Sequence, residues 1–184
     1  MYFHGLELNG RQLTRRAIST NGIHFKVNPE ILTPAYLRVF QYNGYHYGMS
    51  MPGMFYRSLN GLNNFERGPR LFSTTMRHTA LRVAVNQLKV FWINVGDSPE
   101  RILLSTIELT EDWLKWKPSA PMDVLRPEED WEGGDLEAIP SVRGSAQGRV
   151  CQLRDPAIYE EYNMVYMLYS VAGESCIAIA ELKM

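Results

Sequence analysis

Five polar residues occupy places where apolar ones would be expected. Arg38, the pair Arg77-His78 and the pair Arg154-Asp155 each stand at the head of a segment rich in aliphatic and aromatic residues. A carboxylate beside guanidinium groups is held ionised, because a nearby opposite charge favours the charged form. Such a group suits proton abstraction or the binding of hydroxyl groups, and suits proton donation poorly. A second set lies in the stretch 127–149, which contains Trp131-Glu132-Gly133-Gly134-Asp135. An indole offers a flat face to a sugar ring, carboxylates can donate or accept protons, and paired glycines allow a sharp turn between them. Long stretches without secondary structure in compact domains are usually functional or disordered. Both sets also have a plainer explanation. The charged residues could form a buried ring of ion pairs that holds strands in register, and the acidic stretch could be a solvated loop.

The elements that must position these groups read as strands. Segments rich in Tyr, Phe, Val and Ile recur, broken every few residues by Gly, Pro or Asn. Three inner strands are expected at 38–42, 78–83 and 155–159, each followed by a turn, a second strand and a third. A serine, a short turn and an aromatic then lead into an outer strand. This signature occurs as Ser19-Thr20-Asn21-Gly22, as Ser58-Leu59-Asn60-Gly61 and, more loosely, from Ser105 to Trp113. The serines stand 39 and 47 residues apart, and a period of about 40–50 is that of a propeller blade. The expected fold class is therefore all-β, a β-propeller of four-stranded antiparallel blades. About three and a half blades are expected in one partial domain spanning 1–184. Residues 1–34 are read as the outer part of one blade, 35–75 and 76–127 as blades, and 128–184 as the long loop plus a C-terminal blade.

The bulk composition narrows the function classes. The 184 residues are 45% hydrophobic and 21% charged with a net charge of −1, which gives no basic footprint for nucleic acid or an anionic membrane. No apolar run reaches the ~20 residues of a membrane helix, and the N-terminus lacks the pattern of a signal peptide. Cys151 and Cys176 read as small buried strand residues rather than a disulfide framework. No metal-binding, nucleotide-binding or nucleophile-elbow motif is present, so no cofactor is expected. His4, His24 and His46 read as packing or surface residues, and the tyrosine run around Tyr42–Tyr47 and Trp113 with Trp116 as packing residues.

The chain resembles the five-bladed β-propeller glycosidases, the group that includes arabinanases, β-xylosidases, levansucrases and invertases. Leu153-Arg154-Asp155-Pro156-Ala157-Ile158 looks like the Arg-Asp-Pro opening of an inner strand. Val165-Tyr166-Met167-Leu168-Tyr169-Ser170 looks like the strand after it, and Ser58-Leu59-Asn60-Gly61-Leu62 like that group's Ser-x-Asp-Gly-Leu turn, with Asn for Asp. The resemblance implies a glycoside hydrolase-like protein that acts on or binds carbohydrate at a central cavity. On that reading the residues singled out above take roles: Glu132 is the candidate acid, Asp155 the pKa modulator or substrate anchor, and Arg38, Arg77, His78, Trp131 and Arg154 the candidate substrate-binding residues. No residue matches the group's first-blade aspartate. The alternatives are a carbohydrate-binding propeller without catalysis, or a fragment without independent function. With open blade faces, the chain is expected to be a piece of a longer protein or else to form a homo-oligomer. It is expected to be soluble, in the cytoplasm or secreted.

Overall fold

The computed structural model describes residues 1–183. Its residues form two compact units, Met1–Ser73 with Glu111–Lys115, and Thr74–Thr110 with Trp116 onward. The first unit holds β1 (Tyr2–Leu6), β2 (Gln12–Ile18) and β3 (Lys26–Pro34), which pair in that order as one antiparallel sheet. A second sheet pairs β4 (Arg38–Tyr42), β5 (Tyr45–Ser50), β6 (Met54–Ser58) and β7 (Glu66–Arg70), also in chain order. The repeated serine turn has a physical basis here. Ser19 Oγ accepts the amides of Asn21 and Gly22 at 3.2 and 2.9 Å, and Asn21 Oδ1 accepts those of Ile23 and His24. Ser58 Oγ accepts the amide of Gly61 at 3.1 Å, and Asn60 Oδ1 accepts those of Leu62 and Asn63. Gly22 and Gly61 adopt φ of 73° and 67°, which L side chains rarely take. Two sequence copies thus build one turn.

The tyrosine run packs as expected, with Phe40 stacked on Tyr47 at 5.6 Å. Trp113 is 97% buried against this sheet, where Gly68 leaves room for it: a Cβ at that glycine would lie 2.2 Å from the indole. The guanidinium of Arg57 lies over the rings of both Tyr45 and Trp113, at 4.5 and 4.7 Å.

The second unit pairs β8 (Met76–Ala84), β9 (Gln87–Asn94), β10 (Ile102–Glu108) and β11 (Met122–Leu125) as one sheet. It pairs β12 (Arg154–Glu161), β13 (Met164–Val171) and β14 (Cys176–Glu181) as another. Fourteen strands among the described residues amount to three and a half four-stranded blades. Strand β13 alternates half-buried and buried residues along its whole length, as a strand with one face on a core must. Its buried Met167, Tyr169 and Val171 join Ala80, Phe91, Ile93, Ile102 and Leu153 in one apolar cluster. Full burial of such aliphatic and aromatic side chains contributes about 1.5–3 kcal/mol apiece.

Two expectations fail here. The third serine copy is not a turn: Ser105 lies inside β10, and its hydroxyl accepts the Trp92 indole N–H at 3.2 Å. Without an Asn-Gly after it, the backbone has no reason to reverse. The chain runs on to a short 3-10 turn at Trp113–Lys115 before β11 takes the outer position. Cys176 is exposed, because it opens β14, whose outer edge pairs with no other strand. No helix among the described residues is long and apolar enough to cross a membrane.

Candidate functional site

Two of the inner strands, β8 and β12, are each interrupted once. The pairing of β8 with β9 shifts between Arg77 and Thr79, and that of β12 with β13 shifts between Arg154 and Ala157. His78 and Asp155 sit at these β-bulges with φ of 41° and 50°. Both stand seven residues before a positive-φ turn residue, Val85 (56°) and Tyr162 (49°). The same spacing in the first unit joins Asn43 (45°) to Tyr36 (61°), not to Arg38. By this spacing, Tyr36, His78 and Asp155 are equivalent positions of positive φ, and the last two are β-bulges. Sequence reasoning missed Tyr36, whose ring packs on His4 with centroids 4.1 Å apart and planes tilted by 40°. The seven-residue spacing to the turn was the signal that could have found it. Arg38 is an exposed residue that opens β4, two places beyond Tyr36.

In the second unit the two bulge residues meet. His78 Nδ1 lies 2.6 Å from Asp155 Oδ1, and Ser170 Oγ donates to Asp155 Oδ2 at 3.4 Å. An ionised carboxylate only accepts, so in this contact the histidine can only be the donor. The Asp155 side chain is 39% exposed and that of His78 11%, so the carboxylate can be reached from solvent. Burial works to raise the Asp155 pKa. The hydrogen bonds of His78 and Ser170 and the charge of Arg154 outweigh it and hold the carboxyl below its usual value. Left-handed backbone at residues other than glycine costs about 1–3 kcal/mol and concentrates at functional sites.

One residue earlier in each strand, the environment is the opposite. Arg77 and Arg154 are 97% and 98% buried on either side of Glu100, which has no exposed surface. Arg77 grips Glu100 through two bonds of 2.8 and 2.6 Å, and Arg154 Nε stands 3.6 Å from the same carboxylate. Arg154 is completed by Gln152 Oε1 at 3.0 and 2.5 Å and by Glu174 at 2.6 Å. Both arginines donate to the carbonyl of Gly144 at 3.1 Å. This lattice ties the head of β8 to the head of β12. It uses several donors of each arginine within the protein.

The stretch 127–149 is ordered across the same end of the strands. Besides Gly144, it reaches the β9–β10 turn through Ser141 N to Asp97 O at 3.1 Å, and the β13–β14 turn through Ala146 N to Glu174 Oε1 at 3.4 Å. Glu132 is 94% buried in a 3-10 turn over Asp130–Glu132. Its carboxylate accepts the Tyr169 hydroxyl at 2.9 Å and the amides of Glu128 and Glu129 at 3.0 and 3.3 Å. Burial together with the Glu132 hydrogen bond and charge pushes the Tyr169 pKa far up. Trp131 beside it is 55% exposed. Arg77, His78, Glu132, Arg154, Asp155 and Trp131 all belong to the second unit, whereas Arg38 belongs to the first. No group of three or more His, Cys, Asp and Glu side chains among the described residues is arranged to hold a metal ion.

No family model matches the chain. An uncharacterized protein of Acanthamoeba polyphaga mimivirus is 37% identical over 201 aligned positions, covering 99% of this chain. The chain spans 56% of that protein's length. Among solved structures, a thermostable family-43 glycoside hydrolase superposes with a TM-score of 0.65 at 15% identity, over 100% of this chain and 70% of that one. An α-L-arabinanase of Cellvibrio cellulosa, complexed with arabinohexaose, superposes with a TM-score of 0.58 at 8% identity, over 99% and 69%. The fold is a β-propeller of the family-43 glycoside hydrolase type, of which this chain carries three and a half blades.

Proposed function

We propose that the protein is a glycoside hydrolase-like propeller that binds carbohydrate at the His78–Asp155 pair. The observation that carries this reading is the pair itself: a solvent-reachable carboxylate pinned at 2.6 Å to an imidazole, on two bulged, left-handed residues. Sugar hydroxyls both donate and accept. An ionised carboxylate beside an imidazole nitrogen offers an acceptor and a second group of either polarity, which matches a vicinal diol. The arabinanase neighbour, whose structure holds arabinohexaose, makes a linear neutral oligosaccharide the first ligand to try.

Glycoside hydrolysis is the second reading. It needs two carboxyl groups, one kept protonated, at about 5–5.5 Å for retention or about 6.5–9.5 Å for inversion. Asp155, held below its usual pKa, fits the ionised partner. Glu132 and Glu100 are bound up inside the protein, so a protonated partner would have to come from elsewhere. Calorimetric titration with arabinohexaose and xylohexaose tests the binding reading. Wild-type protein should bind one of them, and Asp155→Asn should weaken that binding at least tenfold. Equal affinity in the two proteins overturns it. Release of reducing ends from the bound sugar separates hydrolysis from binding alone.

A further inference from the structure

The segment around Trp131 combines two properties that seldom coincide: a rigid backbone and a large apolar side chain left in water. The backbone is fixed from several sides. Glu132 sends its carboxylate inward to Tyr169 and two backbone amides, and its carbonyl accepts the amide of Ala172 at 2.9 Å. Gly133 (φ 91°) passes so close to Val150 that a Cβ would lie 2.5 Å from its carbonyl oxygen. A Cβ on Gly134 would lie 2.4 Å from that of Glu128. Arg149 donates to the Asp130 carbonyl at 2.5 Å and to the Asp135 carboxylate at 3.0 Å. These constraints hold the residues on both sides of Trp131. The indole between them remains 55% exposed, whereas Trp92, Trp113 and Trp116 are 8%, 3% and 3% exposed.

We infer that Trp131 is a preformed platform on which a sugar ring of a neutral oligosaccharide stacks, with Glu132 as the positioning residue that aims it. The inference rests on the carbohydrate reading of the His78–Asp155 pair and adds a second contact point to it. An indole face attracts the polarised C–H groups of one face of a sugar ring, and a platform ordered before binding loses little entropy when it is covered. The surroundings set the charge of the ligand. Glu128, Glu129, Asp130 and Asp135 stand within four residues of Trp131, with Arg149 already committed to Asp135. Carboxylates around the platform repel a uronic acid and tolerate an uncharged sugar.

The single exposed tryptophan makes the test direct. Iodide and acrylamide quench exposed indoles, so Trp131 should dominate the quenchable fluorescence. Arabinohexaose or xylohexaose, at saturation judged by calorimetry, should lower the quenching constant and shift the emission to the blue. Polygalacturonate fragments of the same length should do neither. Trp131→Ala should lose the optical response and weaken calorimetric binding about tenfold. Glu132→Gln, with the indole retained, should keep the response at reduced affinity. If a hexasaccharide binds by calorimetry and Trp131 stays equally quenchable, the platform is refuted while the His78–Asp155 reading stands. If Asp155→Asn leaves both affinity and protection intact, the platform stands and the His78–Asp155 reading falls. If neither hexasaccharide binds the wild-type protein, both fall.

Discussion

Arg77 and Arg154 precede His78 and Asp155 by one residue each, yet the two pairs live in different media. The arginines close on Glu100 in the interior, whereas the histidine and aspartate meet where solvent enters. A regular strand would also turn alternate residues to opposite faces, but here the bulge adds a left-handed residue and re-aims the side chain. One backbone irregularity, repeated in two neighbouring strands, separates a structural ion lattice from a candidate binding pair. The lattice holds the strand heads rigid, and that rigidity allows two strained residues to keep a 2.6 Å contact.

This contrast predicts unequal responses to similar charge removals. The largest effect is expected at Glu100. Glu100→Gln leaves Arg77 buried without its counter-charge and Arg154 with Glu174 alone, and breaking a buried pair in this way costs about 3–5 kcal/mol. The midpoint of urea unfolding should fall accordingly, and an unchanged midpoint would show that the arginines are neutralised by Glu174 and backbone carbonyls alone. Asp155→Asn inverts the pattern. Its pair is partly exposed, and such pairs contribute about 0–1 kcal/mol, so stability should barely move while oligosaccharide binding drops. A large loss of stability with intact binding would make the pair another part of the lattice.

The strand pattern, the two Asn-Gly turns and the polar strand heads were legible in the sequence because each depends on local chemistry. Ser19 and Ser58 organise backbone within five residues, and turn residues of that kind carry the same meaning wherever they stand. The division of labour between residues 77 and 78, or 154 and 155, was not legible. It depends on a bulge whose cause is tertiary: Glu100, far along the chain, draws both arginines inward. Glu132 illustrates the same limit. As a carboxylate beside Trp131 it reads as an acid for chemistry, and only its contact with Tyr169, 37 residues away, reveals an anchor. With the blades aligned on their second strands, Arg38 falls in line with His78 and Asp155 as the first residue of an inner strand, whereas counting back from the positive-φ turn residue selects Tyr36.

A medium-sized effect should appear in the pH dependence of stability, with opposite signs at the two sites. The folded Asp155 has a lowered pKa, so its contribution is present above the unfolded value of 3.8 and is lost as pH falls through the folded pKa. The folded Tyr169 has a raised pKa, so its contribution is present below 10.0 and is lost as pH rises beyond it. Asp155→Asn should flatten the acid limb alone, and Tyr169→Phe the alkaline limb alone. Urea unfolding at a series of pH values reads both. A Tyr169→Phe protein that still lost stability between about pH 10 and pH 12 in step with the wild type would show that other phenols govern that limb.

The smallest effect is expected at Arg38, and it sharpens the register on which the comparison rests. Arg38 lies two residues beyond the left-handed Tyr36 and is exposed. Replacing it with alanine should change stability by no more than about 0.5 kcal/mol, as surface substitutions do. Tyr36 is half-buried against His4 at 4.1 Å, in the left-handed backbone that His78 and Asp155 share. Tyr36→Ala keeps the strained backbone and loses the ring contact, so it should cost more than Arg38→Ala by about 0.5–1.5 kcal/mol, the usual worth of an aromatic pair. Urea unfolding of the two variants side by side decides the matter. If Arg38→Ala proves the more costly, the strands are aligned by their beginnings after all, and Tyr36 is an ordinary packing residue outside the repeat.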